Sequence, residues 1–568
     1  MTLLRTLAGF TLLVASGCAP PPEPWDGPKL TRPRDQLTVE QLLGQDTPPL
    51  LDTSFLARPA WATDAVEPFA GATMLDATTL TMDVPATRAL YPGEDRFPTV
   101  TLAWVAHEGQ LVPRERGLIR TDEASHWDVL VGTGAVWREA EDGDWTRASF
   151  PLDLVDRYFN QVRNCVATFA YQADQVTGTY VQCSQETADL NDEQLGDLRA
   201  LVPATHAPAS PADFQDDLAA HALAQASRIP TCPLRDWDAD GALAEVFDEA
   251  VWTHASTSVG AVFDDGTLYV HPAQTRHGPH PYPAEMHHGV YSVTKSLAAA
   301  VAMFYVAQRY GAEVFDERVT DHVPALAERP EWQGVTLSHA LNMVTGTQGG
   351  EDADQLFEPL VLADTRAQAI ANIARLGDAP EAPGEAFRYA TTNTFVLSSA
   401  LQHLVEQREG EGVYYWDLVQ RDVLAPIGAE DFDLLLTRDP NTADRIPYLG
   451  FGARPTLDQA ARVAALIANE GEHEGQQLLH RGKIREALGR TDRAGFPIDG
   501  QRSYRHAFWS QTVRSGRCRA EVAYMQGHGG NHVLLLPSGV IVFRFTDEHD
   551  EDITSLVKGA EGVRSSCE

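Results

Sequence analysis

The sequence predicts a multidomain chain. A mostly-β accessory domain spans residues 51–205, and an α/β domain follows over residues 235–568. Three observations carry this. At 568 residues the chain is too long for one hydrophobic core. Short runs alternating with Gly, Asp and Pro turns, such as residues 99–105 and 127–131, fill the first part and read as strands, a sandwich or similar arrangement. From about residue 235 the character changes. A helical run at 242–251 leads into a hairpin at 258–263 and 268–270, and long apolar helical stretches follow, including 296–310. Two strand-like runs, 533–536 and 540–545, close the chain around Pro537-Ser538-Gly539. Strands at both ends with helices between predict a sheet whose first and last strands pair, with a helical region inserted.

Ahead of these domains, residues 1–17 read as an export signal: Arg5, a short apolar stretch, then small residues. The stretch is too short to span a bilayer. Val14-Ala15-Ser16-Gly17-Cys18 resembles a bacterial lipobox, with Ala15 where Leu is usual, and makes Cys18 the candidate lipidation site. Residues 18–50, rich in Pro and charge, read as an extended tether, and residues 206–234 as a linker. The expected location is the bacterial cell envelope, on the periplasmic side or at the outer membrane, with membrane contact only through the lipid.

The formal net charge of -36 argues against nucleic acid, whose phosphates need a basic footprint, and against an electrostatic hold on anionic lipid. Export permits disulfides. Cys165 and Cys183 each end a β-like run, with a polar turn around Asp174 midway, so a hairpin would set the two thiols opposite each other. Cys518 with Cys567 is a looser pairing, and Cys232 is left over.

Three segments carry chemistry. In Tyr291-Ser292-Val293-Thr294-Lys295-Ser296, ahead of an apolar helix, a hydroxyl and an ammonium three residues apart share one helix face. Serine needs a base beside it to act as a nucleophile, and a lysine whose pKa is lowered by burial can serve. Only four lysines occur, Lys29, Lys295, Lys483 and Lys558, so one inside a motif stands out. In Phe387-Arg388-Tyr389-Ala390-Thr391-Thr392-Asn393-Thr394, a tyrosine entering the same site could act as general acid or base. In Gly527-His528-Gly529-Gly530-Asn531, glycines let a substrate approach an edge strand, and the Asn531 N–H could face an oxyanion.

Together, in this order, the three resemble the serine β-lactamase and penicillin-binding-protein superfamily, closest to the class C β-lactamase-like esterases and peptidases. Val335-Thr-Leu-Ser-His-Ala-Leu-Asn-Met-Val-Thr-Gly346 is similar to a further stretch of that family, with Asn342, Met343 and Val344 replacing its usual residues. The resemblance covers about residues 235–568. It implies a β-lactamase-like fold, an antiparallel sheet flanked by helices plus an all-helical region. It also implies an acyl-enzyme mechanism without cofactor or metal. Ser292 would be the nucleophile, with Lys295 and Tyr389 moving the proton. The N–H groups of Ser292 and Asn531 would form the oxyanion hole. His528, Gly529, Gly530, Thr391 and Asn393 would line the substrate site.

Two departures narrow the substrate. Thr391 replaces the Asn of Tyr-x-Asn, and His528-Gly529-Gly530 stands where Lys-Thr-Gly is usual. A neutral imidazole grips a carboxylate less well than an ammonium. An esterase, amidase or D-amino-acid peptidase acting on a small ester, amide or peptide is therefore expected ahead of a β-lactamase or DD-peptidase. A catalytically weak sensor or binding protein is the rival from another class.

Three features are set aside. Asp236-Trp-Asp-Ala-Asp-Gly241 imitates an EF-hand start, yet Phe247 occupies the twelfth position, and an acidic helix start is the better reading. His271, His277, His280, His287 and His288 match no zinc spacing and are expected in a surface loop flanking the cleft. Residues 547–552 read as a solvated acidic loop.

Overall fold

The computed structural model describes residues 37–65, 67–82, 91–122, 124–173, 175–186, 198–249, 257–275, 277–546 and 551–567. The export signal, Cys18, the turn residue Asp174 and acidic residues 547–550 lie outside the described residues.

The first part builds a 13-stranded sheet among the described residues. Its centre is the long hairpin of Thr146–Asp156 and Val162–Gln172, paired antiparallel over almost their full lengths. Every residue of Thr146–Asp156 is buried, so both faces of the hairpin are covered. Alternation explains how. Phe150, Leu152, Leu154 and Phe169 face one apolar cluster, while Val166 and Ala170 face a second cluster with Leu37, Leu42, Leu51 and Leu56. Cys165 and Cys183 stand opposite each other on neighbouring strands and are disulfide-bonded.

The second part builds a nine-stranded sheet among the described residues. Thr257–Asp264 and Thr267–Val270 form a hairpin, and Thr257–Asp264 pairs antiparallel with Ile541–Thr546. The first long strand of this domain therefore meets the last one, as the pattern of the sequence predicts. Asn531–Leu535, Cys518–Gly527 and Phe508–Ser515 continue the sheet outward. Between Thr267–Val270 and these strands lies the helical region, whose interior is the largest apolar cluster among the described residues. Helix Thr391–Glu409 runs through it, and fourteen consecutive or near-consecutive positions from Thr391 to Val405 are buried. Neighbours surround this helix, so Thr, Asn, Ser and Gln side chains are buried along it beside the apolar ones. The architecture is an antiparallel N-terminal sheet followed by a sheet-and-helix domain. Among the described residues no helix is long and apolar enough to cross a membrane.

Four expectations are corrected. The tether ends by Leu37, because Leu37 and Leu42 are buried in the first domain and Gln182 clasps both the N–H and the carbonyl of Leu51. The linker carries regular structure: Ala204–Pro208 pairs with Ala70–Leu75, and Gln215–Ser227 is helical. Its small residues suit a strand edge and an exposed helix as well as they suit coil. Cys232, expected to be left over, is disulfide-bonded, whereas the looser pairing of Cys518 with Cys567 is as expected, so no described cysteine is free.

The fourth concerns the histidines. His271, His280, His287 and His288 are buried, and His287 lies in a seam between the two sheets. Asp153 accepts from His287 N–H and meets its Nδ1 at 2.9 Å, and Asn164 donates to His287 O at 2.9 Å. Burial pushes His280 down to about 4 and His288 down to about 3, so both are neutral at pH 7. His287 is paired on both its ring and its backbone, whereas the buried Nε2 atoms of His280 and His288 meet no hydrogen-bond partner among the described residues.

Candidate active site

Ser292 occupies a tight turn immediately before the helical run Lys295–Ala300 and Val301–Tyr310. The turn is closed by Val293 N–H to Val290 O, Thr294 N–H to Tyr291 O and Lys295 N–H to Ser292 O. Tyr291 has φ 45°, a left-handed conformation that side chains rarely adopt. It turns the chain so that the residue after it stands proud of the helix end.

Lys295 is almost completely buried, and its ammonium donates to three oxygens: Ser292 Oγ at 2.8 Å, Thr391 Oγ1 at 2.9 Å and Gly450 O at 2.8 Å. Burial pushes its pKa down to about 8, with the nearby Glu351 carboxylate acting in the opposite direction. A sizeable fraction is then neutral amine near pH 7–8, which an ordinary lysine never offers.

Tyr389 precedes helix Thr391–Glu409, and its ring lies 4.8 Å from the Lys295 nitrogen. Burial holds its phenol well above the usual value, with Tyr504 and Glu351 adding to the effect and a hydrogen bond with Ser292 opposing it. The phenol is therefore protonated at neutral pH. Phe387, Tyr504 and Trp509 pack around it, at ring distances of 6.3, 6.3 and 5.7 Å, and make this side of the site aromatic.

The third segment closes the site from the sheet. Gly527 ends its strand directly against the Ser292 turn. A Cβ there would stand 2.2 Å from Val290 O and 3.2 Å from Ser292 N, so only glycine fits. Gly529 and Gly530 both have positive φ, which bends the chain back into Asn531–Leu535. The His528 ring packs edge-on against Tyr291 at 5.3 Å.

The structure thus brings Ser292, Lys295, Tyr389, Thr391 and the 527–531 turn together. One candidate, Asn393, differs from expectation, while Asn531 keeps the backbone role expected of it. Asn393 is buried, and its amide meets Thr345 Oγ1 and Met343 Sδ, so it supports the wall instead of facing substrate. The Asn531 side chain is consumed by His528 O and Thr546 N–H, leaving only its backbone for the cleft. Asp238 caps the helix Ala242–Glu249, accepting from Ala242, Leu243 and Ala244 N–H. Among the described residues no cluster suited to a metal ion occurs.

Two participants have no local signature. Glu351 accepts from Thr391 N–H at 2.7 Å and from Thr391 Oγ1 at 3.0 Å, which places a carboxylate at the start of a helix where negative charge is favoured. The adjacent Gly349-Gly350 pair is the one sequence signal beside it. Gly450 supplies a carbonyl to Lys295 because it lacks a side chain: a Cβ there would stand 2.4 Å from Thr394 Oγ1.

Ser292 and the buried Lys295 thus stand at the start of one helix, and the protonated Tyr389 meets them from the start of another. The β-lactamase family model matches residues 243–544, more than half of the chain, and the protein belongs to that family of serine hydrolases. No curated protein matches the sequence. Among solved structures, a penicillin-binding protein homolog from Caulobacter crescentus is similar at 16% identity and TM-score 0.43, covering 58% of this chain and 96% of that one. D-amino acid amidase from Ochrobactrum anthropi is similar at 15% identity and TM-score 0.43, covering 58% of this chain and 100% of that one. A D-stereospecific amidohydrolase from Streptomyces sp. is similar at 14% identity and TM-score 0.42, covering 57% and 98%.

Proposed function

We propose that the protein is an exported hydrolase that cleaves a small ester or amide through an acyl-enzyme on Ser292. The observation that carries this reading is the 2.8 Å contact between the Ser292 hydroxyl and a lysine whose pKa burial pushes down to about 8. Neutral Lys295 takes the Ser292 proton as Oγ attacks the acyl carbon. Tyr389 gives its proton to the departing oxygen or nitrogen and recovers one from Lys295. Water then attacks the ester, its proton leaving by the same route, and Ser292 regains its own. Backbone N–H groups of Ser292 and Asn531 are the donors for the oxyanion. Glu351 and Thr391 hold the Lys295 side chain in place. The two described disulfides support export, since such bonds persist in oxidising compartments.

A fluorophosphonate probe tests the reading. Fast labelling that disappears in Ser292→Ala, together with turnover of p-nitrophenyl esters or of amides and D-peptides, supports it. Rapid hydrolysis of a chromogenic cephalosporin with esters left untouched reverses the substrate ranking. Absence of turnover with a stable adduct identifies a sensor instead.

A further inference from the structure

The turn between the two central strands of the N-terminal sheet, residues 157–161, reaches across the seam into the hydrolase site. Asp156 shapes it, accepting from Tyr158 N–H at 2.7 Å and Phe159 N–H at 3.0 Å, and Asp156 N–H closes it onto Gln161 O. Arg454, from the segment that follows Gly450, donates to Asp156 O and Phe159 O. Phe159 packs on Phe357 at 5.3 Å.

At the tip, Asn160 is completely buried. Its Oδ1 accepts from Tyr291 N–H at 2.5 Å, and its Nδ2 donates to Ala453 O at 3.0 Å. Both contacts matter for chemistry. Tyr291 is the left-handed residue that presents Ser292. Ala453 belongs to the strip that gives Gly450 O to Lys295, and its own N–H bonds to Thr294 Oγ1. One amide thus ties the nucleophile turn to the segment that holds the base. A strained conformation persists only where the surroundings hold it. Gly527 presses on the turn from the sheet side, and Asn160 anchors its N–H.

We propose that Asn160 is a positioning residue for Ser292, and that the N-terminal domain is thereby a working part of the active site and not an appendage. The proposal rests on Ser292 being the nucleophile. Its test uses the full-length protein. In Asn160→Ala the labelling rate of Ser292 by a fluorophosphonate falls about 100-fold, the scale on which a small misplacement of a reacting group acts. The KM for a p-nitrophenyl ester changes far less than kcat. Tyr282→Phe removes another hydrogen bond across the same seam, from Tyr282 to Ser149 O at 2.9 Å, and leaves the labelling rate unchanged. Asn160→Asp supplies a second readout that holds even where the alanine variant folds poorly. A protonated carboxyl can accept and donate as the amide does, whereas a carboxylate faces Ala453 O with no proton. The ratio of its labelling rate to that of the unaltered protein therefore falls as pH rises. Unaltered labelling in Asn160→Ala, or a pH-independent ratio in Asn160→Asp, overturns the proposal for Asn160 alone. Labelling that persists in Ser292→Ala overturns the nucleophile assignment and this proposal with it.

Discussion

The Glu351 carboxylate grips the first residue of helix Thr391–Glu409 twice, taking the Thr391 N–H at 2.7 Å and its hydroxyl at 3.0 Å, while that hydroxyl accepts from the Lys295 ammonium at 2.9 Å. A negative charge one hydroxyl away favours protonated Lys295. Glu351→Gln keeps the shape and removes the charge. Its pH–rate profile is expected to shift to lower pH, because Lys295 then loses its proton more readily. An unmoved profile means that Glu351 acts on the base through geometry alone.

The pKa of Lys295, lowered to about 8 by burial, sets the direction of the whole profile. The base must be neutral. Below that value the neutral fraction grows tenfold per pH unit, so kcat/KM for an ester rises with pH and levels off above about 8. The Tyr389 phenol stays protonated across this range and adds no falling limb. Lys295→Met is expected to lower the plateau by about 10²–10⁴-fold, the usual worth of a positioned base. A profile flat between pH 6 and 9 contradicts the assignment.

Tyr389 carries a separable consequence. A p-nitrophenolate departs without help, whereas an amine must be protonated as it leaves. Tyr389→Phe should therefore depress amide hydrolysis much more than p-nitrophenyl ester hydrolysis, by about 10²-fold or more in the ratio of the two kcat/KM values. Equal losses on both substrates would remove Tyr389 from the role of acid.

Gly527 is tested by the smallest possible change. In Gly527→Ala the added methyl meets Val290 O at 2.2 Å and Ser292 N at 3.2 Å, and both are backbone atoms in a closed turn. Overpacking of this kind costs about 1–3 kcal/mol. A lowered melting temperature together with slowed Ser292 labelling is expected. Labelling at the original rate would show that the turn yields without moving the hydroxyl.

What was legible in the sequence follows the range of the interactions. The closing strands and the hairpin at 257–270 announced themselves by alternation, and their pairing was expected from strands at both ends of a helical stretch. Gly349-Gly350-Glu351 carried no such pattern, and neither did Asn160, since each matters through a partner far along the chain: Thr391 for Glu351, Tyr291 for Asn160. The histidines at 271–288 were misplaced for the related reason that polar residues look exposed until Asp153 and Asn164 are seen to cover one of them.

By itself the sequence determined what is local. Ser292 and Lys295 share a face because three residues make roughly one helical turn, and the glycines at 527–530 permit a close approach whatever approaches. Only the tertiary structure decided how Lys295 is tuned and how Ser292 is presented. Thr391, Gly450 and Glu351 gather around Lys295, and Asn160 reaches the Ser292 turn from another sheet. Burial and charge act through space, and chain order carries no record of which distant segments will enclose a given side chain.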